Sequence, residues 1–77
     1  MNAPDPEEIL LEYVEMKGSV RATAIHVATG MEVSIVGPSH AGEPTLRRNV
    51  LARLRYVMRQ QAEKDQPRAD SRPGLLV

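Results

Sequence analysis

The residues best suited to chemistry lie in one short loop. Gly37-Pro38-Ser39-His40-Ala41-Gly42 has the glycine spacing of a phosphate-binding loop, set between an extended segment and a helical one. Such loops work because backbone N–H groups surround the phosphate and a lysine follows the second glycine. Here Glu43 occupies the lysine position and would repel phosphate, and Pro44 lacks the next N–H. The glycines and the proline therefore read as punctuation of a strand-to-helix turn. Ser39-His40 pairs a hydroxyl with an imidazole, but adjacent residues rarely reach nucleophile-and-base geometry, and no third group is placed to orient the histidine. His26 and His40 are the only histidines, 14 positions apart and without an i, i+4 partner. With no cysteine in the chain they form no metal-ligand pattern. The expectation is a protein that is not an enzyme, with no catalytic residue, cofactor or metal.

A second group is cationic. Arg47, Arg48, Arg53, Arg55 and Arg59 fall within 13 positions, with no acidic residue between Pro44 and Gln61. On a helix, Arg48, Arg55 and Arg59 gather on one face, the kind of basic surface that meets phosphate or an acidic protein. Arg47 projects into the apolar side instead, and its stem is expected to lie over the core edge with its charge in water.

Three alternating segments and one helix must position these groups. Ile9 to Met16 alternates with Ile9, Leu11 and Tyr13 on one side and Leu10, Glu12 and Val14 on the other. Lys17-Gly18 makes a tight turn. Ser19 to Val27 sets Val20, Ala22 and Ala24 against Arg21, Thr23 and Ile25. Ala28-Thr29-Gly30 turns again, and Met31 to Val36 sets Val33 and Ile35 against Glu32, Ser34 and Val36. Gly37-Pro38 is expected to end the sheet. The period then changes to 3.6: Leu46, Val50, Leu51, Leu54, Val57 and Met58 span an arc of roughly 140° on a helix from Glu43-Pro44 to about Lys64. The predicted fold class is α+β: a three-stranded antiparallel β-meander followed by one C-terminal α-helix packed on one sheet face, βββα. Residues 1–8 read as a flexible acidic N-terminus, 9–64 as the single domain and 65–77 as a disordered tail ending in Leu75-Leu76-Val77.

Composition narrows the class. The chain has 77 residues, a formal net charge of zero and only two aromatic residues, Tyr13 and Tyr56. One domain is the most that this length holds. No apolar run approaches the ~20 residues needed to cross a bilayer, so a cytoplasmic protein is expected. The zero net charge conceals an asymmetry: residues 1–43 hold seven acidic and two basic residues, and residues 44–77 hold three acidic and eight basic ones.

One helix covers one face of the sheet. The other face should be polar in a simple monomer, yet Leu10, Val14, Ile25 and Val36 share it with Glu12, Arg21, Thr23, Glu32 and Ser34. That predicts an interaction module which self-associates as a homodimer, or meets a protein partner, through Leu10, Val14, Ile25 and Val36. Nucleic acid bound by Arg48, Arg55 and Arg59 is the alternative, ranked second because Glu12 and Glu32 stand beside the lone Arg21 and the chain offers little for base stacking. A third possibility is that Leu75-Leu76-Val77 folds back over the face. Neither a membrane nor a small-molecule substrate is indicated.

The stretch from Glu8 to Gln60 resembles a small family of uncharacterised alphaproteobacterial proteins, a domain of unknown function. The resemblance rests on Ile9-Leu10-Leu11-Glu12-Tyr13, on Ser19-Val20-Arg21 with Ala24-Ile25 and Ala28-Thr29-Gly30, on Glu32-Val33-Ser34-Ile35-Val36-Gly37-Pro38, and on Leu46 with Leu54-Arg55-Tyr56-Val57. It implies an acid at position 26, where this chain has His26. Some members bear the label serine hydroxymethyltransferase. That chemistry needs a large pyridoxal-phosphate fold with a Schiff-base lysine, and this chain has only Lys17 in a turn and Lys64 near a helix end. The resemblance thus implies a family and no activity.

Overall fold

A computed structural model describes residues 7–65. The order is β1 (Ile9–Met16), β2 (Ser19–His26), β3 (Met31–Pro38), a short 3-10 turn (Ser39–Ala41) and α1 (Glu43–Asp65). The strands form an antiparallel sheet in the order β1-β2-β3, with the helix on one face, as the alternation predicts. Most of the acidic lead-in and of the tail, Leu75-Leu76-Val77 included, lies outside the described residues.

Both hairpins turn at a glycine in the left-handed region, Gly18 and Gly30, each at φ 75°. A side chain there would be strained, which is why these turns follow Lys17-Gly18 and end at Gly30. The second turn is one residue longer than the sequence suggests. β2 ends at His26, and the Gly30 N–H donates to the His26 carbonyl at 2.8 Å. Val27 lies just past the end of β2 and has no β3 partner, but it still donates to the Glu8 carbonyl on the β1 side, at 3.1 Å.

The sheet also runs two residues past its predicted end. Gly37 and Pro38 remain in register, opposite Val20 and Ser19. The physical reason lies in the bonding phase. The Ser39 N–H donates to the Gly18 carbonyl, 3.2 Å away. Along an antiparallel pair the inward-bonding residues alternate, so position 39 bonds toward β2 and position 38 faces outward. Pro38 stands on an edge strand where its missing N–H would have pointed to solvent, and proline costs nothing there.

The core is narrow. Ala22, Ala24, Val50 and Leu54 are fully buried and Leu46 is 4% exposed. Leu46, Val50 and Leu54 repeat every four residues on one helix stripe, facing the small alanines of the central strand. Ile9, Leu11, Tyr13, Val20, Val33 and Ile35, the rest of the predicted covered face, pack around them together with Met31, Leu51 and Met58. Gly37 also lies beneath the helix: a Cβ there would stand 2.5 Å from a Leu46 methyl. With a length of about 35 Å from 23 residues, α1 outreaches eight-residue strands of about 27 Å. Its last turns, Arg59 to Asp65, are exposed.

Candidate functional site

The sheet face away from α1 is built in rows fixed by the register. Leu10, Ile25 and Glu32 form one row; Glu12, Thr23 and Ser34 the next; Val14, Arg21 and Val36 the third; Met16, Ser19 and Pro38 the last. Val36 is 62% exposed, Leu10 51%, and Val14 and Met16 37% each. The structure therefore brings Leu10, Val14 and Val36 onto one open surface, as the alternation requires. Ile25 differs: on the central strand it is flanked by Leu10 and Glu32 and is only half-exposed. Met16 is an exposed apolar residue that the sequence reading leaves out. Its even position on β1 was the signal, since it continues the series Leu10, Glu12, Val14.

The centre of this face is polar and tight. The hydroxyls of Thr23 and Ser34 are hydrogen-bonded at 2.8 Å, and Thr23 is 5% exposed although no helix lies over it. It stands on the central strand between Glu12 and Ser34. Each of the two hydroxyls thus meets a partner, which lowers the cost of covering this spot.

The arginines occupy the opposite side of the molecule. Arg48, Arg55 and Arg59 are exposed on α1. Arg47, Arg48 and Arg55 line a shallow groove of about 500 Å³ with Glu43, Pro44 and Leu51. Arg47 is exposed, and its place beside Leu51 in that groove agrees with a stem laid along the apolar edge. The Arg53 guanidinium lies 5.8 Å from the centre of the Tyr56 ring, a weak cation–π contact. Among the described residues no arginine of α1 forms an ion pair with the acids of the sheet, so the charge asymmetry is not discharged within this part of the chain.

The loop between β3 and α1 has a structural role. The Ser39 hydroxyl donates to the Gly18 carbonyl at 3.4 Å, so both Ser39 donors point at the first hairpin turn and not at His40. His40 is exposed. His26, by contrast, is 6% exposed and its Nδ1 lies 2.9 Å from the Thr29 hydroxyl, which also accepts from the Met31 N–H. It closes the second hairpin, and its hydrogen bond explains a histidine on the covered side of the sheet. Among the described residues there is no cluster of three metal-ligating side chains, and no helix is long and apolar enough to cross a membrane.

Among the described residues one buried polar atom is left over. The Tyr13 hydroxyl has no hydrogen-bond partner; its ring lines a hollow of about 220 Å³ with Glu15, Val20, Ser39, Gly42, Glu43 and Leu46. The hollow is roomy enough for water.

No curated protein and no solved structure matches the chain. A family described as a domain of unknown function (DUF6898) matches residues 6–62, which takes in all three strands, the loop and nearly the whole helix. On that match, across most of its length, the chain belongs to this family of unknown function.

Proposed function

We propose that the protein is a small non-enzymatic interaction module that self-associates through the open sheet face. The observation that carries this reading is the exposure of Leu10, Val14, Met16 and Val36 around the hydrogen-bonded Thr23–Ser34 pair. Apolar surface is stabilised when buried, by about 25 cal/mol per Å². A second copy offers the same surface in two-fold symmetry. Three eight-residue strands present a face of about 27 by 14 Å, on the order of 400 Å² per copy. Two such faces fall at the small end of specific interfaces, which points to a weak, concentration-dependent dimer. Sedimentation velocity across a concentration series tests it. The expected result is association that Val36→Glu reduces by removing the face-to-face contact; Ile25→Glu should do the same with an added cost to the fold, because Ile25 is half-buried. A wild-type chain monomeric throughout, or a dimer indifferent to both substitutions, overturns the reading.

A second reading rests on the groove of Arg47, Arg48 and Arg55, whose guanidinium groups form no ion pair among the described residues. It would bind nucleic acid through phosphate, with affinity falling steeply as salt rises. An electrophoretic shift with mixed-sequence DNA and RNA at low salt, lost in Arg48→Glu/Arg55→Glu, supports it; no shift at any salt removes it.

A further inference from the structure

The two edges of the sheet are not alike. On β3 the outward-facing backbone positions are the even ones, and the last is Pro38, which has no N–H to offer. α1 runs above β2 and β3 and stands off β1. On β1 the bond from Val27 N–H to the Glu8 carbonyl sets the phase: even positions bond to β2 and odd ones face outward. The N–H and C=O groups of Ile9, Leu11, Tyr13 and Glu15 therefore form an open ladder, unpaired by any other backbone group among the described residues. Sheet edges are ordinarily protected by lysine, proline, a bulge or a covering element. β1 runs in unbroken register for its full length, with no proline and no lysine, and carries only Glu12 and Glu15 as charges.

We infer that this edge pairs, antiparallel and about a two-fold axis at Tyr13, with β1 of a second copy, joining two sheets into one of six strands. The register follows from parity and charge. Opposed residues share a face of the sheet, so a position can oppose only one of its own parity. Axes at Glu12 and at Tyr13 are the two that engage seven residues of each strand. An axis at Glu12 sets two carboxylates directly opposite each other, which is destabilising. An axis at Tyr13 opposes Leu10 with Met16, Leu11 with Glu15 and Glu12 with Val14, so no like charges meet. The odd residues then exchange their backbone bonds: Tyr13 with Tyr13, and Leu11 with Glu15 on either side. Leu10, Val14 and Met16 of the two copies become neighbours on a doubled open face. The edge and the open face are separate surfaces, so the inference stands apart from the preceding proposal.

The chain has no cysteine, which makes directed cross-linking clean. Glu12→Cys and Val14→Cys chains, each also carrying Val36→Glu to remove face-to-face association, are mixed and mildly oxidised. The expected product is the mixed disulfide, in several-fold excess over either homodimer. In sedimentation, Glu15→Pro removes an outward N–H at an exposed site and should weaken association of the Val36→Glu chain about tenfold, as loss of ladder hydrogen bonds implies. Predominance of the Glu12→Cys homodimer, association unchanged by Glu15→Pro, or a Val36→Glu chain that is monomeric at every concentration overturns the inference. In the last case a wild-type dimer would still support the open face alone.

Discussion

The two faces of the sheet are made from the same three strands, yet they are held in different ways. The covered face is small at its centre and large at its sides. Ala22 and Ala24 lie flat beneath Leu46, Val50 and Leu54, and the bulkier Ile9, Leu11, Val33 and Ile35 fill the flanks. The open face reverses this. Its centre is the Thr23–Ser34 hydrogen bond, and its largest apolar groups, Leu10, Val14 and Val36, stand at the sides on the two edge strands, exposed. A face that must take a helix keeps its middle low, because close approach of α1 to β2 brings the leucines into contact. A face with no helix keeps a hydrogen-bonded polar middle that is satisfied within the sheet. Folding stability comes from the first face; the second is the surface of the proposed association.

Four substitutions sharpen or break this contrast. Leu54→Ala removes a fully buried side chain at the centre of the covered face and should cost about 2–5 kcal/mol in denaturant unfolding. For a domain of this size that approaches the whole stability, so a loss under ~1 kcal/mol would mean the helix is not the main support of the fold. Gly37→Ala puts a methyl group against Leu46 and should cost about 1–3 kcal/mol, as overpacking does. A neutral result would show that α1 can lift off the end of β3. Tyr13→Phe deletes a buried hydroxyl that has no partner, and should leave stability unchanged or raise it by up to about 1 kcal/mol. A clear loss would reveal a bonded water in the hollow beside Glu15. Val36→Glu on the open face should change the unfolding free energy of the monomer by less than about 0.5 kcal/mol, while sedimentation shows less dimer. A large loss of stability there would mean the open face is already used within the chain.

Much of the fold was legible because local rules agree with one another. Period-two alternation, glycine at the turns and a single 3.6-period stripe leave little choice but three strands and a helix, and the inward residues named from alternation are the ones that surround the core. The errors cluster where the deciding fact is a partner. Pro38 reads as a strand breaker until the phase of bonding to β2 shows that its missing N–H faces outward. Val27 reads as strand until the turn is seen to close on His26. Ser39 is tied to Gly18, a partner 21 positions away that no local pattern names. Met16 is legible in the sequence, because its parity alone places it on the open face.

By itself the sequence determined which residues share a face, where the chain reverses, and that acids collect in the sheet half and arginines on the helix. Those properties depend on residue type and spacing along one chain. Tertiary structure alone decided which strands α1 overlies, which backbone groups of the two sheet edges face outward, that Thr23 is buried on the face away from the helix, and that the arginines of the helix find no acid among the described residues. Each of these turns on how far apart two segments lie in space, and the spacing of residues along the chain carries no measure of that distance.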